Sequence, residues 1–167
     1  MTLRTPLLCL LLGTAMIAST TQAAPSALPM QTTSAHTLPT QPTTYGDQKT
    51  VYQNNGAPVN QPIYFTMLLH SLRNQITAVG KDHVKIVVVN FGAGVDLLIQ
   101  AQTDRALASQ IDMLKADGVQ FAVCANTMKG RHLRREQLYG VAEQDIVPSA
   151  VAEITHLQSI GFAYIHL

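Results

Sequence analysis

Val84-Lys85-Ile86-Val87-Val88-Val89 runs directly into Asn90-Phe91-Gly92-Ala93-Gly94, and this stretch decides the fold. A β-branched run with little polar alternation marks a strand buried on both faces, as in a parallel sheet covered by helices. The glycines that follow mark a tight turn at the carboxyl end of that strand.

Upstream of this run, Tyr64, Met67, Leu68, Leu72, Ile76 and Val79 recur at helical spacing. Asn60 can cap this helix, Pro62 suits its first turn and Gly80 is a natural stop. Before it, residues 49–53 read as a short strand closed by the turn Asn54-Asn55-Gly56. Downstream, Thr103 is placed to cap a second helix that buries Leu107, Ile111 and Leu114 and stops at Gly118. Residues 119–124 read as a third strand. Residues 126–146 read as irregular, with one short helix around Leu133 to Leu138. Pro148 suits the first turn of a last helix, with Val151, Ile154, Leu157 and Ile160 as its apolar face. Gly161 ends it, and residues 162–167 form a closing strand.

Strands therefore alternate with helices at least three times. Parallel neighbours need a crossover, so the order predicts a single α/β domain over residues 46–167, with a mostly parallel sheet and helices on both faces. Ligands of such sheets bind outside the carboxyl ends of the strands. Two segments reach that edge: Gly92-Ala93-Gly94 and the turn beginning at Cys124.

The amino terminus has a different character. Arg4 precedes an apolar run over residues 7–17, and Thr21-Gln22-Ala23 presents small residues at a cleavage site. This is the pattern of a secretory signal peptide, residues 1–23, removed after Ala23. The run is too short to span a bilayer, which takes roughly 20 residues. Residues 24–45, rich in Thr, Pro, Gln, Ser and Ala, read as a flexible leader with too little apolar surface to offset the entropy of ordering. The expected location is the periplasm. Removal of the signal peptide takes Cys9 with it and leaves Cys124 as the single cysteine, in a compartment where paired cysteines form disulfides.

The 167 residues suit one domain of ordinary size, and a hydrophobic content of 47% is enough for a core. Only 13% of residues are charged, and the formal net charge is +1. Nucleic acid binding needs clustered Lys and Arg, so nucleic acid is not an expected partner. The same balance argues against a polybasic membrane anchor. The histidines are scattered without a metal-binding spacing, and the mature chain keeps no second cysteine, so neither a metal nor an organic cofactor is expected.

Phe121-Ala122-Val123-Cys124-Ala125-Asn126-Thr127-Met128-Lys129-Gly130-Arg131 resembles the cysteine strand and turn of the DsrE/DsrF-like proteins. Val147-Pro148-Ser149-Ala150-Val151-Ala152-Glu153-Ile154 and Gly161-Phe162-Ala163-Tyr164-Ile165 resemble that family's last helix and strand. Residues 88–95 resemble its second-strand loop. The resemblance implies a DsrE-like α/β fold and assembly into homotrimers or hexamers. Some relatives are cytoplasmic sulfur carriers that hold a persulfide on the cysteine matching Cys124, and only that residue carries over as functional. Those carriers act with partner subunits in the cytoplasm, whereas the amino terminus here reads as an export signal.

The residues around Cys124 allow such chemistry. A thiolate is the reactive form, and positive charge or N–H donors lower its pKa. Lys129 and Arg131 lie just beyond Cys124, and the backbone N–H groups of Asn126 and Thr127 can face an anion there. Asn90, Gly92 and Gly94 complete the expected pocket. Gly92 and Gly94 lack the third glycine and the following lysine of a phosphate loop, and so read as turn residues. Two functions follow. One is a persulfide carrier or sulfur transferase acting through Cys124, with a sulfur donor or acceptor protein as partner. The other is a non-catalytic oligomeric module that binds a small anion or a protein at the strand ends, with Cys124 as a packed hydrophobe.

Overall fold

The structure, a computed structural model, describes residues 44–57 and 59–167. The signal peptide and all but the end of the leader lie outside the described residues. The elements in chain order are β1 (Gln48–Asn54), α1 (Gln61–Val79), β2 (Val84–Asn90), α2 (Asp96–Gln100), α3 (Arg105–Ala116), β3 (Gln120–Cys124), α4 (Ala125–Gly130), β4 (Ile146–Val147), α5 (Ala150–Ser159) and β5 (Ala163–His166). The five strands form one sheet in the order β4-β3-β2-β1-β5, and every neighbouring pair is parallel. The α/β architecture expected from the sequence is thus the one observed.

The side-chain period of two along each strand sorts the core into two layers. Tyr52, Ile86, Val88, Phe121 and Val123 pack with Leu68, Leu69 and Leu72 of α1 and with Ile111 and Leu114 of α3. The alternate residues Val51, Val87, Val89, Ala122 and Cys124 pack on Ala150, Ile154 and Leu157 of α5. The sulfur of Cys124 therefore belongs to the α5 layer. Among the described residues no helix is long and apolar enough to cross a membrane.

Several local expectations are corrected. Met67 is 52% exposed, and Phe65 and Leu69 take the buried positions instead. The reason is a shift of the helical face by one row, since Phe65, Leu68, Leu69, Leu72 and Ile76 form a continuous i, i+3, i+4 stripe. Asn60 precedes α1 in the left-handed conformation, φ 55°, and makes no side-chain cap. The cap of α3 is Asp104, not Thr103: its Oδ1 accepts from the N–H groups of Ala106 and Leu107 at 2.9 and 3.0 Å, while the Thr103 hydroxyl donates to the Gln100 carbonyl. Pro148 lies outside α5, whose cap is Ser149. Val151 and Ile160 face outward, and Ala150 joins Ile154 and Leu157 as the buried face. Residues 126–146 are more ordered than expected: they hold all but the first residue of α4, two 3₁₀ turns at Arg135–Gln137 and Glu143–Asp145, and the first residue of β4.

Candidate functional site

The carboxyl edge of the sheet is built on two buried asparagines. Asn54 ends β1 and Asn90 ends β2, side by side in register. The Asn54 amide donates to Asn90 Oδ1 at 2.8 Å and to the Gly94 carbonyl at 3.0 Å. The Asn90 amide donates to the Ala122 carbonyl at 2.9 Å and to the Val88 carbonyl at 3.2 Å. Asn90 has no exposed surface and spends its polar groups inside the fold. Gly94 lies so close to β1 that a Cβ there would overlap the Asn54 carbonyl. Gly92, with φ 54°, takes a left-handed conformation that favours glycine. Asn90 and Gly94 thus fix the loop, and Gly92 is its exposed tip.

Beyond β3 the chain turns straight into α4. Cys124 is the last residue of β3 and stands at the amino end of that helix. Its surface is 5% exposed. Val89, Ala150 and Ile154 belong to the same apolar cluster. The N–H of Ala150, at the start of α5, donates to Sγ at 3.3 Å. Burial pushes the thiol upward. The N–H groups of Thr127 and Ala150, the Thr127 hydroxyl and the N–H of Asn126 pull it down and prevail, so Cys124 lies below the ordinary thiol range. The lowering comes from these donors. Lys129 is exposed, and the Arg131 guanidinium is turned elsewhere.

Arg131 and Thr127 instead bind the Gly92 loop. The Gly92 N–H donates to Thr127 Oγ1 at 3.1 Å, and Arg131 Nη1 donates to the Gly92 carbonyl at 2.9 Å. Arg131 Nη2 pairs with Asp96 Oδ1 at 2.7 Å, and Gln61 Nε2 donates to Asp96 Oδ2 at 3.2 Å. Asp96 and Gln61 were missed in the sequence because each lies far from residue 131 along the chain. Of the expected pocket residues, the structure gathers Gly92, Thr127 and Arg131 into one hydrogen-bonded group beside Cys124. The Asn126 backbone N–H faces the Cys124 sulfur as expected, although the residue itself is exposed; Lys129 is exposed on α4, and Asn90 and Gly94 lie beneath as supports.

The chemistry available here is that of a stabilised sulfur anion. N–H groups converge on Sγ from two helix starts, and such donors hold a thiolate or the inner sulfur of a persulfide. Two surface clefts do not have Cys124 in their lining. One is beside Asp47 and His83 at the amino-terminal edge, and another runs along the α5 face between Gln120, Gln144, Asp145 and Glu153.

Comparison with known proteins agrees with this architecture. Among solved structures, MTH1491, a protein of unknown function from Methanobacterium thermoautotrophicum, has a similar fold. It superimposes with a TM-score of 0.61 at 24% sequence identity, covering 72% of this chain and 100% of that one. No curated protein matches the chain. The model of the DsrE/DsrF-like family matches residues 48–167, from the first residue of β1 to Leu167. The match spans all five strands and the Cys124 turn, and the chain is a member of the DsrE/DsrF-like family.

Proposed function

We propose that the protein relays sulfur through Cys124, as a persulfide carrier or a sulfurtransferase-like protein. The observation that carries this reading is the position of Cys124 at the carboxyl edge of β3, with N–H donors holding its thiol below the ordinary range. Membership of a sulfur-relay-type family supports it. In the step proposed, the Cys124 thiolate attacks the outer sulfur of a donor persulfide. The donor's S–S bond breaks, a new S–S bond forms on Sγ, and the electron pair leaves on the donor thiolate, so no net oxidation occurs. Transfer to an acceptor thiolate reverses the same step. The proposal extends to the periplasm as the site of action, after cleavage near Ala23, and to a homotrimer or homohexamer as the working form. Sedimentation velocity tests the assembly, and a monomer at micromolar concentration would contradict it.

A second reading has its own observation. Cys124 is 5% exposed and packs in the apolar layer with Val89, Ala150 and Ile154. A cysteine so covered can serve as a small hydrophobe in a module that binds an anion or a partner at the strand ends. Thiol titration of the native protein separates the two. Labelling of Cys124 without denaturant supports sulfur relay. Labelling only after global unfolding supports the packing role.

A further inference from the structure

A sulfur that is to exchange with donors and acceptors must become accessible, yet Cys124 is covered. The segment that follows it is α4, only six residues long. A helix of that length has no stability of its own in water and is held by what it touches. Met128 anchors one side of it in the α1 layer. On the other side Thr127 and Arg131, one turn apart, grip both backbone groups of a single residue, Gly92.

We propose that this grip on Gly92, locked by the Arg131–Asp96 pair, is the latch over Cys124, and that its opening is the local motion that exposes the sulfur. The inference rests on the sulfur-relay reading for its purpose, but its physical content is independent of it. Three features make the latch the weak point of the segment that follows Cys124. Its hydrogen bonds to Gly92 are solvent-exposed, whereas the neighbouring Asn54–Asn90 bond is buried. The Arg131 and Asp96 side chains are 37% and 26% exposed, so water and salt compete for the pair. One residue also ties the latch together, because Arg131 holds the Gly92 carbonyl and Asp96 at once, and Gln61 steadies Asp96 from α1. Loss of Arg131 removes both bonds.

The other elements packed on the sulfur carry few charges that could substitute for this lock. α5 brings Glu153 and His156, β2 brings Lys85 at its far end, and α4 itself brings Lys129. None of them hydrogen-bonds Sγ, whose partner from α5 is the Ala150 N–H. The lock is therefore the Arg131–Asp96 pair.

The test is the rate at which a neutral alkylating reagent labels Cys124 in the full chain. It is run at a pH where the thiol is fully ionised, so that access and not protonation is measured. Cys124→Ser supplies the background. For a local opening, the wild-type rate is nearly independent of urea well below the unfolding transition. Arg131→Ala and Asp96→Asn should each speed labelling roughly three- to tenfold while circular dichroism shows a folded protein. Added sodium chloride should raise the wild-type rate and leave that of Arg131→Ala unchanged, which a general loss of stability would not produce. The inference is overturned if both folded variants label at the wild-type rate. It is equally overturned if labelling follows urea with the slope of global unfolding. Sulfur uptake with latch-independent labelling would sink the latch and keep the relay. Latch-dependent labelling without sulfur uptake would do the reverse.

Discussion

The Asn54 side-chain amide donates to Asn90 Oδ1 at 2.8 Å, with both residues wholly buried at the ends of adjacent strands. This bond joins β1 to β2 at the edge where the Gly92 loop departs. It also consumes polar groups that would otherwise be stranded in a dry interior, where an unpaired donor or acceptor costs roughly 1–3 kcal/mol. Asn90→Ala leaves the Ala122 carbonyl without its side-chain donor and removes one acceptor from Asn54. We expect a loss of about 2–3 kcal/mol in urea unfolding, with an unchanged denaturant slope. Asn90→Asp should be worse despite its matching shape, because a carboxylate cannot donate to the Val88 and Ala122 carbonyls.

Gly94 is the second support of the loop. Its backbone lies against β1, and a methyl group there would overlap the Asn54 carbonyl, a backbone atom that cannot swing away. Gly94→Ala should cost about 3 kcal/mol or more, or prevent folding. Gly130, which has open space around its Cβ position, is the control: Gly130→Ala should be nearly neutral in the same urea unfolding measurement.

Much of this architecture is legible in the sequence, and the exceptions have physical causes. The Val84–Val89 run names a buried parallel strand because both faces must be apolar, and Leu68, Leu72 and Ile76 name a helix because burial repeats at its period. α4 leaves no such trace. It is six residues long and buries only Met128, too little to make a period. Asn54 reads as a turn former and Asn90 as a pocket residue, because asparagine serves turns, ligand sites and buried amide pairs equally well. Cys124 was marked by its place at a strand end. Its burial, and the capture of Arg131 by Asp96, depend on how distant segments pack and have no local signature.

Helix capping offers a prediction on the corrected residue. Asp104 Oδ1 accepts two backbone N–H bonds at the start of α3, and Thr103 accepts none of them. Asp104→Ala should therefore lower stability by about 1 kcal/mol. Thr103→Ala should change it by no more than about 0.5 kcal/mol. Paired urea melts decide the point.

Cys124 should also make stability depend on pH. Its folded pKa lies below its unfolded value, so the unfolded chain holds the proton where the folded chain has released it. The resulting stabilisation is complete above the unfolded thiol value, about 8.5, and is lost as pH falls through the lower folded value. The unfolding free energy of wild type relative to Cys124→Ser should thus rise from neutral to alkaline pH. A difference that stays flat or declines over that range would contradict the donor geometry described for Sγ.

Intact-mass spectrometry after incubation with a low-molecular-weight persulfide tests the relay itself. The wild-type chain should gain the mass of one sulfur atom and lose it on treatment with an acceptor thiol, and Cys124→Ser should gain nothing. A wild-type chain that stays at its original mass while folded, or a Cys124→Ser chain that takes up sulfur equally well, would contradict the account.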